Sequence, residues 1–143
     1  MAKVLGVDFE AKKASFILVG RSNDEVEVGL KERLELSDTR SRSAMGEFRD
    51  AVRRIIEASA PSRIVIRAKP ENGQMRAGAA ALKMEAIILA ESPVEVVFVS
   101  SVKANKQADG EGIYAYLQPA YKAAMASFEP DAGGTKKSKK NTD

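Results

Sequence analysis

Apolar residues gather at the start of the chain in two runs. Val4-Leu5-Gly6-Val7 is followed by Ser15-Phe16-Ile17-Leu18-Val19, with the charged turn Glu10-Ala11-Lys12-Lys13 between them. Short continuous apolar runs bounded by turn residues predict buried strands, here over about residues 3–9 and 13–20. Arg21-Ser22-Asn23-Asp24 has turn composition. Beyond it, Glu25-Val26-Glu27-Val28 and Arg33-Leu34-Glu35-Leu36 alternate charge and apolar side chain. This period of two predicts a half-exposed third strand over about 25–36, and Gly29 marks a bulge within it. Three strands with short links make an antiparallel meander.

After a polar loop, Met45, Phe48, Val52, Ile55, Ile56 and Ser59 recur at helical spacing, and Pro61 ends that helix. Arg63-Ile64-Val65-Ile66-Arg67 is short and β-branched. It reads as a buried fourth strand, parallel to the first because a crossover helix precedes it. Residues 68–75 form a Gly-, Pro- and charge-rich loop. Residues 76–91 predict a second helix with Ala77, Ala80, Ala81, Met84, Ile87 and Ile88 on its packed face, ended by Pro93. Residues 94–99 predict a fifth strand, and 100–109 a polar segment with one helical turn. A last helix is expected over 111–128, with Ile113, Leu117, Tyr121, Ala124, Met125 and Phe128 in register. From Glu129 onward, Gly, Lys, Ser and Thr predict a disordered Lys-rich tail. The chain therefore divides into one α/β domain over 1–128 and a tail over 129–143.

Composition narrows the chemistry. A chain of 143 residues, 44% of them hydrophobic, buries a core of ordinary size. No apolar run is long enough to span a bilayer, and the first residues lack the order of a signal peptide. Together with the absence of cysteine, this sets a cytoplasmic expectation with no membrane partner. The absence of histidine excludes a Ser-His pair, an imidazole base and a classical zinc site. Chemistry is left to carboxylates, lysines, tyrosines or a hard cation held by oxygen. The net charge of +3 is small. Lys136, Lys137, Lys139 and Lys140 carry four positive charges in the tail.

The order β-β-β-α-β-α-β-α implies a mixed five-stranded sheet with helices on both faces. Together with Leu5-Gly6-Val7-Asp8 as first strand, it resembles the ribonuclease H-like fold. RuvC-type Holliday-junction resolvases are similar at that strand, at Ile64-Val65-Ile66-Arg67, at the Ala-rich helix from Gly78 to Ala90, and at Val94 to Val99 with Lys103 and Lys106. A small bacterial family, domain of unknown function 3010, is similar over about residues 3–128. That likeness rests on Gly6-Val7, Val65-Ile66-Arg67, Gly78-Ala79 with Lys83-Glu85-Ala86, and Ala120-Tyr121-Lys122-Ala123-Ala124. This family supplies no activity.

The resolvase resemblance implies a phosphodiester-cutting site with two divalent cations, Mg²⁺ or Mn²⁺, held by converging carboxylates. Those carboxylates come from strand one, the end of strand four and the last helix. Asp8 ends strand one as required. Strand four ends in Arg67 where a Glu is required, and a guanidinium pairs with Asp8 instead of ligating metal. Glu71, Asp109 and Glu111 are the remaining acidic candidates near the site. Glu10 reads as a solvated turn residue. Arg67, Lys69, Arg76, Lys83, Lys103 and Lys106 follow the carboxyl ends of the parallel strands, where open α/β sheets bind ligands. They form the candidate nucleic-acid patch, and Tyr114, Tyr116 and Tyr121 are candidates for base stacking. Three readings stay open. The preferred one is a binding or structural module with a degenerate active site and no cofactor, associated with nucleic acid. The second is a metal-dependent nuclease or resolvase using Asp8, Glu71 and Asp109 or Glu111. The third is an interaction module that forms a homodimer.

Overall fold

The first apolar run forms β1 (Ala2–Glu10) and the second β2 (Lys13–Ser22), joined by a turn in which Ala11 takes a positive φ. β3 (Glu25–Glu35) completes the antiparallel meander. In this computed structural model, residues 2–69, 73 and 77–130 are described. β4 (Arg63–Arg67) lies parallel to β1, and β5 (Val96–Val99) parallel to β4. The sheet order is β3-β2-β1-β4-β5, which puts β1 at the centre. Its residues Val4 to Phe9 are accordingly buried on both faces.

Gly29 behaves as its sequence context predicts. Ser22 faces Glu25 and Val19 faces Val28, but Ile17 faces Lys31. One extra residue at Gly29-Leu30 therefore shifts the pairing of everything after it.

Helix α1 (Arg42–Ser59) begins on Ser41, whose hydroxyl accepts from the Ala44 N–H, and closes on Ala60 in the left-handed region just before Pro61. It packs with α2 (Ala79–Glu91) against one face of the sheet. Leu5, Val7, Phe9, Phe16, Ile64 and Ile66 meet Phe48, Val52, Met84 and Ile88 there. α2 starts at Ala79 rather than at residue 76. Gly78 is its N-cap, and Ala77 is buried ahead of the helix. β5 starts at Val96 rather than at 94, because the Ser92 hydroxyl bonds both the N–H and the carbonyl of Val94 and holds that stretch in a turn.

The other face carries α3 (Ser101–Asn105), a 3₁₀ turn (Ala115–Leu117) and α4 (Gln118–Ala126). Val4, Ile17, Val19 and Val65 meet Leu117, Ala120, Ala123 and Ala124 there. α4 rests closely on β1: a Cβ on Gly6 would stand 2.3 Å from the Ala120 carbonyl oxygen. The expected helix over 111–128 is thus halved. Gly112 takes a positive φ, and Pro119 occupies the first turn of α4, where its missing N–H is not needed. Both residues are sequence signals that the apolar register of Ile113 and Leu117 masked.

Glu129 continues the body rather than opening a tail. Its N–H bonds the Ala126 carbonyl and its carboxylate pairs with Arg21 at 3.0 Å. The rest of the tail, from residue 131, lies outside the described residues. Among the described residues, no helix is long and apolar enough to cross a membrane.

Candidate functional site

Pairing across the sheet assembles the site. Asp8 on β1 faces Ser15 on β2, and Ser15 faces Arg33 on β3. Arg67 ends β4 one step beyond the Val7–Ile66 rung. Directly paired residues share a sheet face, so one row, Arg33-Ser15-Asp8-Arg67, crosses four strands on the α4 side. The row floors a pocket of about 410 Å³. Lys13 and Lys69 stand at its rim, and Tyr116, from the 3₁₀ turn, and Pro119, from the first turn of α4, form a wall. Four cations, Lys13, Arg33, Arg67 and Lys69, face two carboxylates, Asp8 and Glu10.

Asp8 is buried. Burial raises its carboxyl above the ordinary value, while Lys69, then Arg67, then the Phe9 backbone N–H pull it back part of the way. Arg67 Nη1 stands 3.5 Å from Asp8 Oδ1, an ion-pair distance. Asp8 Oδ1 and Arg67 Nε are both buried and make no hydrogen bond. A buried polar atom without a partner costs about 1–3 kcal/mol. Both atoms lie beneath the pocket surface, so what the pocket presents to a ligand is the positive charge of Lys13, Arg33, Arg67 and Lys69 along its lining.

The basic residues expected to form one patch separate. Arg67 and Lys69 meet in this pocket. Lys83 points away from it, donating to the Thr39 carbonyl at 2.7 Å beside the groove between α1 and α2. Lys103 lines a different depression with Arg63, at the start of β4, and Ser127, just after α4. Lys106 is the exposed C-cap of α3. Arg76 lies outside the described residues. The five that are described therefore do not make a single surface. α2 turns Lys83 to the side its apolar face dictates, and α3 carries Lys103 over the outer side of β5.

Lys13, Ser15 and Arg33 take part in the site although sequence reading did not select them. The two-residue turn between Glu10 and Lys13 makes the Asp8–Ser15 pairing countable. Arg33 was not countable, because Gly29 marks a bulge without fixing how many residues it inserts, and with no insertion Glu32 would face Ser15.

Among the described residues the candidate carboxylates also stay apart. Asp109 pairs with Lys122 of α4 at 2.8 Å and lines no wall of the Asp8 pocket. Glu111 is exposed in the loop before the 3₁₀ turn. Glu71 lies outside the described residues. Among the described residues, no three acidic side chains gather closely enough to hold a metal ion. Among the described residues the pocket sets only two carboxylates, Asp8 and Glu10, among two guanidinium and two ammonium groups, and this set does not fit a pair of Mg²⁺ ions, which demand several anionic oxygens.

A family model described as "Protein of unknown function (DUF3010)" matches residues 2–127. None of the curated proteins matches this sequence. Among solved structures, Thermus thermophilus RuvC in complex with a Holliday junction substrate superposes with a TM-score of 0.67 at 13% identity, over 88% of this chain and 92% of that one. The Fowlpox virus resolvase in complex with substrate Holliday junction DNA gives 0.53 at 10% identity, over 87% and 95%. The yeast mitochondrial Holliday junction resolvase gives 0.53 at 12%, over 73% of this chain and 53% of that one. Identities this low show the fold alone, a ribonuclease H-like mixed sheet with helices on both faces.

Proposed function

The chain belongs to the DUF3010 family of unknown function, and on that footing we propose that it is a nucleic-acid-binding ribonuclease H-like module. Its Asp8 pocket takes a backbone phosphate in place of the metal pair of the nucleases. One observation carries this reading: Arg67 stands beside Asp8 at the carboxyl end of the central strands, with Lys13, Arg33 and Lys69 around the same opening.

An anion entering the pocket meets the positive charge of the Arg67 guanidinium and of the ammonium groups of Lys13 and Lys69. Arg is suited to a phosphate because its planar fork donates to two oxygens at once. Asp8 holds that fork in orientation and reduces the net positive charge, so the site favours a singly charged phosphodiester over a more highly charged monoester. Support from other proteins is limited to fold: resolvases of the same architecture are described with Holliday junction DNA.

Fluorescence anisotropy with a labelled duplex and a labelled four-way junction, in about 50 mM salt, tests the reading. The wild-type chain is expected to bind both. The double variant Lys13→Glu with Lys69→Glu is expected to lose most of that affinity. Absence of wild-type binding to either substrate, or undiminished binding by the double variant, overturns it.

A further inference from the structure

The segment from Gly110 to Leu117 has little regular structure, yet it is firmly held. Gln118 holds it: Nε2 donates to the carbonyls of Gly110 at 2.9 Å and Ile113 at 3.0 Å, and Oε1 accepts from the Gly110 N–H at 2.8 Å. The loop also presses onto its own helix. A Cβ on Gly110 would stand 2.3 Å from Ile113 Cδ1 and 2.9 Å from the Tyr121 ring.

Two tyrosines stand on this base. The rings of Tyr114 and Tyr116 have centroids 5.9 Å apart and planes only 12° apart. The Arg33 guanidinium lies over the Tyr116 ring, 4.4 Å from its centroid. Tyr116 and Arg33 both line the Asp8 pocket. Tyr114 is the next ring outward and is 72% exposed. A single exposed aromatic residue is unremarkable on a protein surface. This one has its plane set by a neighbouring ring and its backbone set by a side-chain clamp. Its ordering entropy is therefore lost before any ligand arrives.

We infer that Tyr114 is a stacking platform for an unpaired nucleobase whose neighbouring phosphate occupies the Arg67–Lys69 pocket. The chain then prefers nucleic acid with unpaired bases to continuous duplex. In a duplex both faces of a base are covered by its neighbours, so only an unpaired or terminal base has a face to offer. Stacking on an aromatic side chain is tolerant of base identity, so the preference is for strand state and not for sequence. Gln118 acts as a positioning residue, through the loop. This inference rests on the nucleic-acid reading of the pocket.

The test compares a single-stranded oligonucleotide with the blunt duplex of the same sequence, using the full chain. The chain has no tryptophan and three tyrosines, so tyrosine quenching that is lost in Tyr114→Phe reports stacking on Tyr114. The wild type is expected to bind the single strand more tightly, with quenching of that emission. Tyr114→Ala is expected to weaken single-strand binding about tenfold and to leave duplex binding and melting temperature unchanged. Tyr114→Phe should keep the wild-type ratio of the two affinities, and Gln118→Ala should reduce it. If Tyr114→Ala weakens both ligands equally or neither, while Lys69→Glu still weakens both, the platform is wrong and the phosphate pocket stands. If the wild type binds neither ligand, the pocket reading fails and the platform with it.

Discussion

Arg67 Nη1 sits 3.5 Å from Asp8 Oδ1, just past the last rung that joins the parallel strands β1 and β4. Burial nevertheless dominates the Asp8 carboxyl and raises it above its ordinary value, since Lys69 and Arg67 offset only part of the cost. A carboxyl raised in this way binds its proton more tightly in the folded than in the unfolded chain. Its contribution to stability is fully present below the unfolded value and is lost as pH rises through the folded one. Asp8→Asn cannot ionise and removes that decline. The unfolding free energy of the variant minus that of the wild type should thus become more positive between about pH 3.5 and pH 7. Urea titrations across that range measure it, and a difference that falls with pH would mean the cations outweigh burial.

Removing the cation acts in the opposite sense. Arg67→Met leaves Asp8 buried without its ion-pair partner, and at neutral pH this should cost about 2 kcal/mol, less than for a fully buried pair because Arg67 is partly exposed. The double variant Asp8→Asn with Arg67→Met should recover part of the loss in the same titrations. Strict additivity of the two single changes would show that the residues are not coupled.

Gly6 is required by α4. Gly6→Ala places a methyl group against the Ala120 carbonyl and the Ala124 side chain, so the helix must lift from β1 at a cost of about 3 kcal/mol. Gly78→Ala is the matching control. A Cβ there meets nothing within 4 Å, and as an N-cap change it should cost no more than about 1 kcal/mol. Thermal melts of the two variants compare them, and equal midpoints would show that α4 does not press on the strand as described.

Phosphate binding should follow the pocket and not the wider set of basic residues. With two to four cations in contact, log affinity for duplex should fall against log salt with a slope of about −2 to −4. Lys13→Ala and Lys69→Ala should each lower its magnitude by about one. Lys83→Ala should leave affinity and slope unchanged, because Lys83 is bound to Thr39 on the other side of the sheet. A chain ending at Pro130 should keep the slope. Loss of all binding on that truncation would transfer the activity to Lys136, Lys137, Lys139 and Lys140.

With Mg²⁺ or Mn²⁺ present, the purified chain should leave a labelled four-way junction uncut. The reason is chemical: the partner Asp8 meets at the end of β4 is a guanidinium, and Asp109 is engaged by Lys122. Gel analysis of the junction decides this. Metal-dependent cleavage that Asp8→Asn abolishes would establish a nuclease with a ligand set different from the resolvase pattern.

Local pattern determined most of the framework. The apolar runs of β1 and β2, the helical spacing of Phe48 to Ile56 and the β-branched run of β4 each signal their element within a few residues, because side-chain period and turn chemistry are local properties. The parallel placement of β4 beside β1 followed from the crossover helix, and with it the meeting of Asp8 and Arg67. What the pocket contains was settled by tertiary structure. A one-residue bulge at Gly29-Leu30 puts Arg33, and not Glu32, opposite Ser15, since a shift of one residue turns every later side chain of a strand to the other face. Lys83 and Lys103 leave the site for a similar reason: a helix presents its charged residues wherever the packing of its apolar face leaves them. The long final helix failed where local chain chemistry and a long-range clamp coincide. Gly112 and Pro119 interrupt it, and the three hydrogen bonds of Gln118 hold the interrupted segment in place. Strand and helix are written in nearest neighbours, whereas a binding site depends on which residues of distant segments share a face, and only the folded sheet decides that.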